Sequence, residues 1–383
     1  MQGRDWHFFA QKFYAGVPRT SQYFVSSALF LGYALPVSGK RILITGGVGF
    51  IGVNAAERFL RDGWQVDIFD NFSRRGVALN DLYLQGVANA NNLHIYRGDV
   101  RTDQNLLVQL CETADVVLHL AAQVAVTTSV TDPRTDFDIN ALGTFNVLEA
   151  VRASIKKPIV IYASTNKVYG SLEHLSVVEE KDRYALGGGL RAVDEHQPLD
   201  FHSPYGCSKG AADQYVRDYS RIYGLKTVVF RQSCVYGRRQ LGIEDQGWVA
   251  WFMIAAMFKR PVTLYGNGKQ VRDLLFVEDL VEAYVQAIAH INKCSGQAYN
   301  LGGGSENALS LIEFFEILEK DFGQKLSPAH AAERPGDQPI FIADNRKFSA
   351  DSGWKADTGV RDGLKKLNDW LKENRPMLQE FYK

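Results

Sequence analysis

The sequence predicts an α/β fold in which a doubly wound parallel sheet is followed by a smaller C-terminal α/β domain. Three observations carry that expectation. From Lys40 onward, short β-branched runs alternate with stretches of helical length, the pattern of a parallel sheet covered by helices on both faces. Gly46, Gly49 and Gly52 lie where the first such run meets the first helical stretch. Asp70 closes the second run, about 20 residues further on.

Residues 1–39 differ from the rest. An aromatic start (Trp6, Phe8, Phe9, Phe13, Tyr14) leads into an apolar run over 23–37, broken by Ser26, Ser27, Gly32 and Pro36. That run is shorter than the roughly 20 residues a membrane-spanning helix needs. It reads as an extension packed on the first domain, although Lys12 and Arg19 ahead of it and small residues behind it also suit a signal peptide. Strands are expected over 41–45, 65–70, 93–97, 116–120, 159–163 and 227–231, with helices over 51–62, 140–153 and 211–223 between them. After Cys234 the alternation weakens and Gly-rich turns appear at 266–268 and 302–304. The expected division is therefore a first domain of 40–235 plus about 270–302, and a second of 236–269 and 303–383.

Composition removes several functions. Forty-three Lys and Arg balance forty-three Asp and Glu, so the positive surplus expected for binding a nucleic-acid backbone or an anionic membrane is missing. Cys111, Cys207, Cys234 and Cys294 are scattered and form no C-x-x-C pair. Neither a metal site nor a disulfide framework is indicated, which suits a reducing compartment such as the cytoplasm.

The glycine turn is the first functional signal. Residues 41–45 run straight into Gly46, Gly49 and Gly52, so the backbone can approach a pyrophosphate while the helix opening at Phe50 and Ile51 aims its free N–H groups at that charge. Asp70, at the end of the second strand, is placed to accept hydrogen bonds from the adenosine ribose. A carboxylate there repels a 2′-phosphate and favours NAD over NADP. Arg74 and Arg75 lie close by but on a loop, so Asp70 carries more weight. Asp99 and Val100 follow the third strand and face the adenine. His119-Leu120-Ala121-Ala122-Gln123 ends the fourth strand in small residues where a backbone passes close to the cofactor.

Tyr205 and Lys209 form a Tyr-x-x-x-Lys pair opening a helix, one turn apart on one face. A phenol with an ordinary pKa near 10 is a poor base at neutral pH, and an ammonium beside it, with the positive ring of an oxidised nicotinamide, favours the phenolate. Upstream, the fifth strand ends in Ala163-Ser164-Thr165-Asn166, where a hydroxyl can hold the same substrate oxygen.

These residues in this order resemble the extended short-chain dehydrogenase/reductase superfamily, whose fold is the Rossmann sheet. Asn140-Ala-Leu-Gly-Thr144, Val168-Tyr169-Gly170 and Arg272-Asp273 leading into Val277-Glu278-Asp279 fit the same pattern. The resemblance makes Thr165, Tyr205 and Lys209 the catalytic triad, and adds Asn71, Ser73, Gln123, Asn140 and Gln232 to the NAD contacts. Within the superfamily, Asp70-Asn71-Phe72-Ser73-Arg74, Ser164-Thr165-Asn166-Lys167, Asp200-Phe201-His202-Ser203-Pro204-Tyr205 and Asp245-Gln246-Gly247-Trp248 resemble the CDP-paratose 2-epimerase group, with Gln232 where a histidine is expected. That resemblance implies a CDP-sugar held by Gln123, Thr165, Asn166, Ser233, Arg239, Arg272 and Arg334. It also implies inversion at C2 through a 2-keto sugar, and a homodimer or homotetramer. A nucleotide-sugar 4-epimerase, which shares the fold and the triad, is the alternative reading, while related 4,6-dehydratases carry Asp-Glu after the threonine, where this chain has Asn166 and Lys167.

Overall fold

The computed structural model describes residues 39–87, 91–333 and 337–383. The expected extension and Arg334 therefore lie outside the described residues, apart from Gly39 at the extension's end.

Seven parallel strands form the main sheet: β1 (Arg41–Thr45), β2 (Gln65–Asp70), β3 (Leu93–Arg97), β4 (Val116–His119), β5 (Ile159–Thr165), β6 (Thr227–Gln232) and β7 (Gln297–Leu301). Their spatial order is β7-β6-β5-β4-β1-β2-β3. The strand order reverses between β1 and β4, which pair in register Ile42↔Val116 to Thr45↔His119. A crevice therefore opens beyond the carboxyl ends of these two strands.

Alternation along β1 explains why both faces are covered. Ile42 and Ile44 join a core with Val53, Ala56 and Phe59 of helix Phe50–Arg61 and with Leu280 and Tyr284 of helix Val277–Ala289. Leu43 points the other way, into a core with Leu107, Val147, Val151, Ala212 and Val216 from helices Gln104–Thr113, Gly143–Ala153 and Ser203–Tyr223. Each such aliphatic side chain contributes roughly 1.5–3 kcal/mol on full burial.

All six expected strands are present. β7 is an addition, and the catalytic helix begins at Ser203 rather than at 211. Pro204 takes its first turn, where the missing N–H costs nothing. Val271–Phe276 belongs to a smaller sheet, pairing with Cys234–Tyr236, Ala308–Ser310 and Ile340–Phe341. The chain thus rejoins the main layers only at Val277–Ala289 and β7. Aromatic and aliphatic side chains of helices Trp248–Phe258, Leu311–Phe322 and Val360–Glu373 make the second body's own core.

Candidate active site

The glycine turn is closely packed against its surroundings. Gly46 has φ +70°, and a Cβ there would lie 2.8 Å from the Ala121 nitrogen at the exit of β4. A Cβ on Gly52 would lie 2.5 Å from the Gly46 carbonyl oxygen. Side chains are thus excluded where strand, turn and helix close on one another. Helix Phe50–Arg61 starts with no side-chain cap and no acid in its first turn, leaving its N–H groups and positive end for an anion.

These groups face an open cleft lined by Gly46, Gly49, Phe50, Ile51, Gly52, Asp70, Asn71, Ser73, Arg74, Asp99, Val100, Leu120, Ala121, Ala122, Tyr205, Lys209 and Gln232. The Asp70 carboxylate accepts from the Phe72 amide at 2.9 Å and the Val48 amide at 3.3 Å. Burial raises its pKa against those donors. Asp99 is gripped by Arg101 at 2.9 and 2.7 Å and by Asn71 at 2.9 Å, which hold its carboxyl well below the usual range.

Two expected cofactor contacts lie beneath the cleft instead of lining it. Asn140 accepts from the Gln123 amide at 2.9 Å and donates to the Gln123 carbonyl at 3.1 Å, while the Gln123 side chain donates to Asp136 at 2.8 Å. Their polar groups are turned toward each other, so they shape the floor.

Tyr205 is 9% exposed and Lys209 4%. Lys209 Nζ donates to the Ala163 carbonyl at 2.6 Å and lies 4.3 Å from the centre of the Tyr162 ring. Burial lowers its pKa to about 7, with Asp213 and Asp136 pulling the other way. Burial pushes Tyr205 up to about 12, and a hydrogen bond with Thr165 offsets only part of the rise. The physical reason is that withdrawing a phenolate from water costs more than one hydroxyl returns. Thr165 and Tyr205 do meet, as the triad requires.

Beyond Thr165, pairs from distant segments hold the polar side chains. Asn166 donates to Gln338 at 3.0 Å. Lys167 reaches Asp337 at 3.3 Å, and Arg272 reaches the same carboxylate at 2.6 Å. The Ser233 hydroxyl is spent on the buried carboxylate of Asp273, so it ties the two bodies together. Arg239 lines the cleft, but it stacks on Tyr83 and lies 3.8 Å from Glu57, beside the glycine-loop helix. Arg239 itself has φ +67°.

Sequence reasoning missed several supports. Asp213 continues the Tyr205–Lys209 face by one more turn and binds Arg231 at 2.9 and 3.0 Å and Ser164 at 2.8 Å. Its i+4 spacing was the available signal. Ser129 accepts from the Tyr205 amide at 3.1 Å. Asp136, Asp337 and Gln338 had no local signature.

A crevice at the strand reversal, a glycine cradle and a Thr/Tyr/Lys set define a dinucleotide-type active site of the extended short-chain dehydrogenase/reductase class. The chain belongs to the family described as GDP-mannose 4,6 dehydratase, whose model matches residues 43–367. It is 44% identical over 336 residues to CDP-paratose 2-epimerase of Salmonella typhi, covering 86% of this chain and 98% of that protein. It is 29% identical to dTDP-glucose 4,6-dehydratase of Salmonella typhimurium, covering 87% and 93% of the two chains. Among solved structures, UDP-glucose 4-epimerase of Thermus thermophilus in complex with NAD matches with a TM-score of 0.72 at 31% identity, covering 87% of this chain and 99% of that one.

Proposed function

We propose that this protein is an NAD-dependent nucleotide-sugar epimerase that inverts C2 of a CDP-activated hexose or dideoxyhexose. The observation that carries the reading is the set at the end of β5. Thr165 bonds the Tyr205 phenol, and the next two residues are Asn166 and Lys167 rather than carboxylic acids. A 4,6-elimination needs an acid and a base in that neighbourhood. An oxidation and reduction at one carbon needs only the hydroxyl, the phenol and the cofactor. The 44% identity to a CDP-paratose 2-epimerase supports C2 and a CDP sugar.

The dinucleotide fits the cleft: Gly46 and Gly52 admit a pyrophosphate, Asp70 receives the ribose and Asp99 borders the adenine. NAD, when bound, supplies hydride uptake and return at the sugar carbon, together with a positive ring that favours phenolate. Tyr205 takes the proton of the 2-hydroxyl and later gives it back, while Thr165 holds that oxygen. Lys209 keeps the phenol's surroundings positive and is placed for the nicotinamide ribose. The intermediate is a 2-keto sugar, which must present its other face while its diphosphate stays anchored. Arg272 suits the anchor, and Asp337 holds its guanidinium in place.

A homodimer, or a homotetramer built from it, accompanies this reading. Phe137, Leu142, Phe145, Tyr215, Ile222 and Tyr223 are exposed on or beside helices Gly143–Ala153 and Ser203–Tyr223, apolar surface of the kind that subunit contacts cover. We place the enzyme in the cytoplasm, where both nucleotides are available and four free thiols persist. Among the described residues no helix is long and apolar enough to cross a membrane.

The test is incubation of the NAD-loaded protein with CDP-, UDP- and dTDP-hexoses, reading product configuration by NMR. Inversion at C2 of the CDP sugar supports the reading. Inversion at C4, or loss of water from the sugar, overturns it.

A further inference from the structure

Asp136 is 1% exposed and sits in the short helix Pro133–Phe137, away from the reacting atoms. One of its carboxylate oxygens accepts from Gln123 at 2.8 Å and Asn140 at 3.0 Å, the two residues that form the cofactor floor. The other accepts from the Ser208 hydroxyl at 2.5 Å. Ser208 lies between Tyr205 and Lys209 on the catalytic helix, and also receives a hydrogen bond from Asn140 at 3.1 Å. A fully buried carboxylate with three neutral donors still leaves a charge to be balanced.

The charged and titratable groups around it are few. Lys209 and Tyr205 face it from the catalytic helix, and Tyr162 from β5. His119 lies beyond Lys209 and is held neutral between Thr45 and Thr144, its pKa pushed down to about 3 by burial. Asp213 also acts on Lys209, but its charge is already matched by the two bonds from Arg231. Arg134 and Asp138, on the segment of Asp136 itself, pair with each other at the surface.

We propose that Asp136 is a positioning residue for the epimerisation. Its buried carboxylate fastens the cofactor floor to the catalytic helix through Ser208 and shares with Asp213 the balancing of the Lys209 charge. The inference rests on the proposed function for its chemistry but on the hydrogen bonds alone for its placement. Asp136 thereby joins two tasks that the sequence shows as separate motifs. Gln123 and Asn140 are oriented through the same carboxylate that fixes Ser208. Removing the charge weakens the ammonium beside Tyr205 even where the hydrogen-bonded shape survives.

The test is Asp136→Asn, which keeps the size and two of the acceptor bonds while removing the charge. The wild-type and variant proteins carry 13C at lysine Cε and are titrated by NMR with NAD bound and no sugar present. The Lys209 midpoint is expected to fall by about one pH unit in Asp136→Asn, a tenfold shift in the ionisation constant. Asp136→Glu, which retains the charge, keeps the midpoint near the wild-type value. In turnover, the alkaline limb of the kcat profile moves down with the lysine midpoint, while KM for the sugar changes less than twofold. An unmoved midpoint in a folded Asp136→Asn protein overturns the proposal. Should that variant not fold, Ser208→Ala removes one tie and leaves the charge: kcat falls about threefold with the midpoint in place, and an unchanged kcat contradicts the fastening role. The lysine titration involves no sugar, so it stands whether or not the CDP sugar proves to be the substrate.

Discussion

The two ends of the candidate site are built in opposite ways. At the glycine end, the anion cradle comes from consecutive backbone: β1, the turn Gly46 to Gly52, and the helix that follows. At the Thr165 end, Asn166 and Lys167 are held by Gln338 and Asp337, which lie 172 and 170 positions further along the chain. A backbone cradle needs little more than small residues at fixed spacings. A side-chain cradle needs several long-range contacts to be correct together, and its specificity can change with a single partner. Tyr205 stands at the seam.

The largest effect is expected at that seam. Tyr205→Phe removes the proton carrier and should lower kcat roughly thousandfold, while NAD affinity, read by calorimetry, changes little. A variant retaining a tenth of the wild-type rate breaks the assignment.

Gly52→Ala attacks the backbone cradle, with its new Cβ 2.5 Å from the Gly46 carbonyl oxygen. It should cost about 1–3 kcal/mol of stability and weaken NAD binding, as urea unfolding and calorimetry will show. Gln338→Ala is the matching change at the other end. It strips the partner from Asn166 Nδ2 and from the Gly170 carbonyl, at about 1–3 kcal/mol for the unmet buried groups. Here turnover should fall about tenfold with NAD affinity intact. If both variants lose NAD to the same degree, the two ends are one unit and the comparison fails.

Away from both ends, a pH dependence of stability is expected at the end of β4. His119 is neutral in the fold with a pKa pushed down to about 3, against an ordinary value of 6.5. Between those values the unfolded chain carries a proton that the folded one refuses. This group therefore makes stability rise with pH across the window, by up to roughly 1.4 kcal/mol per unit, and contributes no further slope above it. In urea unfolding between pH 4 and 7, His119→Asn should show a flatter dependence than the wild type. Equal slopes would place the acid sensitivity elsewhere.

The same contrast explains what was legible in the sequence. β1 to β6, the glycine turn, Asp70 and the Tyr205–Lys209 pair follow from period, spacing and strand ends, all of which are local. β7 was missed because Gln297–Leu301 carries Asn300 within the run, whose side chain is satisfied by distant Tyr169 and Val193. Asp136 and Gln338 were invisible for a related reason: a buried polar residue declares itself only once its partners are known.

The most direct measurement uses a CDP-hexose substrate deuterated at C2, given to the NAD-loaded protein in ordinary water. The account predicts a product of inverted C2 configuration that retains the deuterium at that carbon, because the same hydride is removed and returned. Inversion with exchange of the label for solvent hydrogen would contradict it, as would an untouched C2 beside an inverted C4.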